Sequence, residues 1–215
     1  MAVVRLALRI EFAENSELHP PACRQLIFGA LSPTMKVVLI GMKHCGKSTL
    51  GTALAARWGC AFHDIDRLIE EHQTRASGRH LTVREIFNTL GEERFTELET
   101  QAVRELHAQL RNSPAPAVVA VGGRTALNVQ VGELLNHIGT VVYLEVSPEE
   151  MFQRVLRGGL PSFINQDDPV MSFLELYQER VPYYRQRAAL IVNLDGLTVA
   201  AALEKLCAAL APLGG

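Results

Sequence analysis

Gly41-Met42-Lys43-His44-Cys45-Gly46-Lys47-Ser48-Thr49 satisfies the spacing G-x-x-x-x-G-K-[ST] in full. The chemistry of that spacing is phosphate binding. Glycines at Gly41 and Gly46 let backbone N–H groups turn inward around phosphate oxygens. Lys47 adds a full charge for the outer phosphates, and the Ser48 hydroxyl suits a nucleotide-bound Mg2+. A helix beginning near Lys47 aims the positive end of its dipole at the same anion. Lys43, His44, Cys45 and Thr49 complete the set of nucleotide-contact candidates. Lys43 and His44 also fit solvent-facing loop positions, and Cys45 fits a small loop residue.

A second group of chemically able residues follows. Cys60-Ala61-Phe62-His63 reads as a short strand ending in Asp64-Ile65-Asp66. Two carboxylates one residue apart diverge in direction. One can face a metal ion and the attacking group, and the other can face a polyol. A phosphoryl acceptor needs such a group to orient or deprotonate its hydroxyl. Either Asp also fits the N-cap of the helix that follows.

The elements that must position these residues alternate. Apolar runs of strand length occur at 36–41, 60–63, 117–121, 140–146 and 189–193. Helical periodicity fills 47–58, 65–73, 82–90, 92–111, 125–136, 148–156, 169–186 and 197–210. Thr82-Val83-Arg84-Glu85 has the form of a capping box, and Ser147-Pro148-Glu149-Glu150 reads as a capped start with Pro at the first helical position. This alternation predicts an α/β fold: a three-layer α/β/α arrangement with a five-stranded parallel sheet, strand 36–41 at its centre. The phosphate loop and Asp64 then lie side by side at the carboxyl edge of the sheet. The working domain is expected to span 35–215. Residues 1–34, interrupted by charges and by His19-Pro20-Pro21, read as a poorly packing extension. The polar stretch 157–168 reads as a mobile loop.

Composition narrows the partners. The chain has 215 residues, 48% apolar and 20% charged, with a net charge of −2. That balance excludes a disordered chain and gives no basic excess for nucleic acid. Cys23, Cys45, Cys60 and Cys207 show no zinc-ligand or disulfide-framework spacing. No apolar run is long enough to span a membrane. A cytoplasmic monomer is expected.

The ordered pieces resemble the shikimate kinases, of the nucleoside-monophosphate-kinase-like P-loop fold, over about residues 35–210. The resemblance rests on the phosphate loop, on Phe62 to Glu70, and on Thr82 to Phe87 leading into Gly91-Glu92-Glu93-Arg94-Phe95. Val119-Ala120-Val121-Gly122-Gly123, Val141 to Val146 and Glu179-Arg180-Val181-Pro182-Tyr183-Tyr184 extend it. It implies transfer of a phosphoryl group from ATP, with Mg2+, to the 3-hydroxyl of shikimate. It implies that Lys47 holds the transferring phosphate, Ser48 ligates the metal, and Asp64 sits near the metal and the attacking hydroxyl. Asp66, Gly122 and Gly123 would bind shikimate, Arg180 would clasp its carboxylate, and Arg157 would be a lid residue near the adenine.

Three positions depart from the family pattern. Thr96 stands where a second carboxylate-binding Arg is usual, Arg124 replaces a third glycine, and Leu160-Pro161 replaces the Arg-Pro of a lid that is shortened here. Arg124 has three readings: it joins Arg180 on an acidic substrate, it fills the substrate's space, or it points outward to Glu92 or Glu93. Arg94 reads as a solvated helix charge. The departures leave two alternatives beside shikimate kinase: a related phosphotransferase for a different hydroxylated substrate, and a nucleotide-binding module without turnover.

Overall fold

Five short strands carry the fold: β1 (Lys36–Ile40), β2 (Ala61–Asp64), β3 (Ala117–Ala120), β4 (Thr140–Glu145) and β5 (Leu190–Asn193). In the computed structural model, which describes residues 34–159 and 164–213, they form one parallel sheet in the order β2-β3-β1-β4-β5. The expected centre, β1, is the centre. Val38 sits opposite Val119 on one side and Val141 on the other. Val37, Val38, Leu39 and Ile40 are all fully buried. Successive strand residues face opposite sides, so both faces of the sheet are covered.

Seven α-helices do the covering among the described residues: α1 (Lys47–Trp58), α2 (Ile65–Ser77), α3 (Val83–Arg111), α4 (Val129–Ile138), α5 (Pro148–Gly158), α6 (Pro169–Arg187) and α7 (Val199–Leu210). The core runs through them as one cluster, with Leu54 of α1, Ile69 of α2, Leu106 of α3, Leu135 of α4 and Leu206 of α7 buried in it. The capping box forms: Thr82 Oγ1 accepts the Glu85 N–H at 3.3 Å, and Glu85 Oε2 accepts the Thr82 N–H at 2.8 Å.

Several boundaries differ from the sequence pattern. The helices expected at 82–90 and 92–111 join into α3 without a gap, and Gly91 marks the kink with φ 79° and ψ 174°. The helix expected at 125–136 divides in two. Thr125–Leu127 is a 3₁₀ turn, and Asn128, extended and accepting the Gln130 N–H at 2.9 Å, starts α4 afresh. Ser147 holds the cap position of α5 but makes no side-chain cap bond; its own N–H donates to Asp195 Oδ1 at 2.7 Å instead. Residues 1–33 of the extension expected over 1–34 lie outside the described residues, as do Leu160 and Pro161 of the expected loop.

The layout places three strand ends together. β1 runs into the phosphate loop, β2 ends at Asp64, and β3, between β1 and β2, leads into Gly122 and Gly123.

Candidate functional site

The phosphate loop ends in an unblocked helix terminus. Gly46 is the N-cap of α1, with φ 106° and no side-chain cap bond. A residue with a Cβ is strained at that φ, and a capping side chain would compete for the first N–H groups of the helix. Those groups are left to an anion. Lys47 Nζ donates to the carbonyls of Gly41 at 2.9 Å and Met42 at 2.8 Å, so its charge is held within the loop. His44 has φ 69°, the one non-glycine positive φ among the described residues. Burial, with the charges of Lys43 and Lys47, holds its imidazole below the ordinary histidine range.

Asp64 joins the two expected readings of the carboxylates. Its Oδ1 accepts the Asp66 N–H at 3.1 Å, capping α2, while Oδ2 accepts the Ser48 hydroxyl at 2.7 Å. Capping fixes the carboxylate's orientation and leaves it against the phosphate loop. Ser48 and Asp64 are oxygen donors, which suits a hard cation such as Mg2+. No group of three or more His, Cys, Asp or Glu able to cage a metal occurs among the described residues. A Mg2+ at Ser48 and Asp64 would therefore share its coordination with nucleotide phosphates and water, as this ion commonly does.

Two cavities open at this edge of the sheet. One, about 550 Å³, is lined by Lys47, Ser48, Thr49, Asp64, Arg154 and Arg157 among others. The second, about 390 Å³, includes Phe87, Phe95, Glu99, Arg124 and Arg180 in its wall. They share Lys43, His44, Asp66, Gly122 and Gly123, so the cleft is continuous from phosphate loop to second cavity. Asp66 stands at the junction. Burial is the main cause holding its carboxyl above the usual range; Asp64 adds to this, while Lys47 and Lys43 oppose it.

Gly122 is a glycine for reasons of space. A Cβ there would lie 2.8 Å from Thr125 Oγ1, 2.9 Å from Asp66 Oδ1 and 3.2 Å from Glu99 Oε1. Gly123 presents its carbonyl to the Tyr184 hydroxyl at 2.5 Å. Tyr184 is fully buried, and Arg180 lies one turn before it on α6, only 8% exposed. Burial pushes the Arg180 guanidinium below its ordinary value, while neighbouring Tyr184 opposes this. A buried guanidinium opening on a cavity is suited to an anionic group, which would relieve that penalty.

Most of the expected site residues thus come together. Gly41 and Cys45 line neither cavity. Cys45 is buried, with Sγ 3.9 Å from Lys47 Nζ, and both residues shape the loop from behind. Arg124 lines the second cavity but pairs with Glu92 and lies over the Phe87 ring, 5.9 Å from its centroid. Arg94 is exposed and pairs with Glu97 at 2.5 Å.

Two residues of the cleft escaped the sequence reading. Glu99 is 4% exposed, accepts the Thr125 hydroxyl at 2.5 Å, and has its carboxyl pushed up to about 6, mainly by burial. Its signal was present: Phe95, Glu99, Ala102, Val103, Leu106 and Leu110 follow the apolar spacing of α3, so a carboxylate stands in the buried stripe. Arg154 donates to the Cys45 carbonyl at 3.1 Å and is itself held by Glu150. It precedes Arg157 by one helical turn, placing two arginines along one side of the nucleotide cavity.

The shikimate kinase family model matches residues 43–211. The chain belongs to the shikimate kinase family.

The curated relatives agree. It is 35% identical over 173 residues to a shikimate kinase of Paracidovorax citrulli (strain AAC00-1), covering 80% of this chain and 90% of that protein. It is 38% identical over 151 residues to one from Synechococcus sp. (strain JA-3-3Ab), covering 70% and 74%. A solved structure of Acinetobacter baumannii shikimate kinase in complex with shikimate aligns with a TM-score of 0.69 and 27% identity, covering 85% of this chain and 94% of that one. This member of the shikimate kinase family is thus a phosphotransferase with the P-loop kinase fold, as its motifs led one to expect. Among the described residues no helix is long and apolar enough to cross a membrane.

Proposed function

We propose that this chain transfers the γ-phosphoryl group of ATP to the 3-hydroxyl of shikimate. The observation that carries the reading is the continuous cleft, in which a phosphate loop and a cavity walled by a buried arginine meet at Asp66, Gly122 and Gly123. The nucleotide is proposed to lie along Gly41 to Thr49, with Arg157 toward the adenine end. Lys47 leaves its loop carbonyls for the outer phosphates, where its charge meets the charge that grows in transfer. Mg2+ at Ser48 and Asp64 would neutralise phosphate charge and hold the outer phosphates in place. Asp64, in the wall of the nucleotide cavity, is proposed to orient the attacking hydroxyl and take its proton.

Asp66 accepts hydrogen bonds from the acceptor's hydroxyls, the Gly122-Gly123 backbone faces its ring, and Arg180 holds its carboxylate. The fit is chemical: a carboxylate and vicinal hydroxyls meet a guanidinium and a carboxylate across one cavity.

The test is ADP release from ATP and Mg2+ with shikimate and with a panel of other hydroxy acids and polyols. Turnover with shikimate is expected to exceed that with every other acceptor. Faster turnover of another hydroxy acid would replace shikimate as substrate, and nucleotide binding without turnover on any acceptor would overturn the assignment.

A further inference from the structure

We propose that Arg124 is a second carboxylate-binding arginine of this chain, stored on Glu92 and handed to the acid group of the acceptor as it binds. The inference rests on the acceptor reading above and adds a recognition step to it.

Arg124 follows the two glycines that line the cleft and starts the 3₁₀ turn Thr125–Leu127. That position gives it the same cavity as Arg180. Two guanidiniums on one cavity repel each other, and Arg124's charge is among the causes that depress Arg180. Glu92 and the Phe87 face draw Arg124 to the rim. Phe87 precedes the Gly91 kink of α3 and Glu92 follows it, so Arg124 bridges both arms of the helix.

That storage is weak by its exposure. The side chains of Arg124 and Glu92 are 48% and 65% exposed, and ion pairs in water hold loosely. A substrate carboxylate in the cavity offers bidentate pairing away from bulk water, which is the stronger bond. The released Glu92 returns to solvent. The exchange leaves no charge buried alone.

Position 96 offers the acceptor cavity no cationic side chain. Thr96 turns its hydroxyl to the Glu92 carbonyl at 2.9 Å and does not line the acceptor cavity. Three arginines do: Arg84, Arg124 and Arg180.

The experiment compares wild type, Arg124→Gly, Glu92→Gln and the double variant, all in the full chain. It measures KM for shikimate and for ATP, and calorimetric Kd for shikimate and for its uncharged methyl ester. Arg124→Gly is expected to raise the shikimate KM and Kd about tenfold or more, the loss of one charge-assisted bond. It should leave the ATP KM and the ester Kd unchanged. Glu92→Gln should tighten shikimate several-fold, and this gain should vanish in the double variant. Unchanged or tighter shikimate binding in Arg124→Gly overturns the proposal and makes Arg124 a surface group or a plug. So does a Glu92→Gln gain that persists without Arg124. A wild type that binds shikimate without phosphorylating it refutes the proposed activity, while the Kd comparison still decides the role of Arg124. A wild type that does neither overturns both.

Discussion

The two ends of the cleft are built in different ways. The nucleotide end comes largely from one loop: Gly46, Lys47, Ser48 and Thr49 close the phosphate loop that follows β1, and the first N–H groups of α1 start there. The acceptor end is gathered from four places. Asp66 comes from α2, Glu99 from α3, Gly122 and Gly123 from the end of β3, and Arg180 from α6. Phosphates are recognised by backbone and by a point charge, which a short local motif can supply. A ring carrying hydroxyls and an acid needs side chains on several sides of it, which only long-range packing can supply. The nucleotide end should therefore respond to substitution in turnover, and the acceptor end in substrate affinity.

The largest effect is expected at Lys47. Lys47→Ala should lower kcat by about 10²-fold or more, since electrostatic stabilisation of a transferring group is commonly worth several kcal/mol. Asp64→Asn should follow closely, because that carboxylate holds both Ser48 and the α2 cap. Single-turnover phosphoryl transfer, with circular dichroism as a check on folding, measures both. Turnover near wild type in both would place catalysis elsewhere.

Gly122→Ala tests the acceptor end. The new Cβ would press on Asp66 Oδ1 and Thr125 Oγ1, at 2.9 and 2.8 Å. Displacing Asp66 removes a charge-assisted hydrogen bond, so the shikimate KM should rise about 10- to 100-fold. The ATP KM should stay within about twofold, the scale of an undisturbed site. An equal rise in both would show that the two ends respond as one unit.

Glu99 gives a smaller effect, in stability. Its carboxyl is raised from 4.5 to about 6 in the fold, so between those pH values the folded chain holds a proton that the unfolded chain has released. The contribution of Glu99 to stability is full below 4.5, falls as pH rises to about 6, and then levels. The loss is about 2 kcal/mol at most. Glu99→Gln should flatten urea-unfolding stability across that window. A slope unchanged by the substitution would show that Glu99 is not the titrating group.

Arg157→Ala should matter least. Arg157 is exposed and bonds only loosely, from Nε to the Gln153 carbonyl at 3.3 Å. An exposed charge of this kind is worth about 0–1 kcal/mol, so the ATP KM should rise no more than about fivefold. A larger rise would show Arg157 closing on the nucleotide.

Much of this was legible in the chain itself. The phosphate loop, the five strands and the central place of β1 follow from local spacing and from runs of β-branched residues. The capping box was readable because both partners lie within one turn. Asp64 was readable as a site residue, while its double duty as cap and as Ser48's acceptor was not. That pairing joins the first turn of α1 to the end of β2, across 16 positions.

Glu99, Arg124 and Arg154 mark the limit. Glu99 stands in the apolar stripe of α3 in the sequence, but its partner Thr125, brought against it from beyond the end of β3, is not readable there. Arg154 reads as a helix-surface charge until packing sets it under the Cys45 carbonyl, 109 residues away in sequence. Arg124 had three readings in the sequence, and only the structure shows that its side chain both lines the cavity and pairs with Glu92. The sequence by itself determined what the chain does to phosphate, because that recognition is written in one continuous loop of backbone and a lysine. What surrounds the acceptor was decided only by the tertiary structure, because a side chain's direction and burial depend on neighbours that the order of residues does not name.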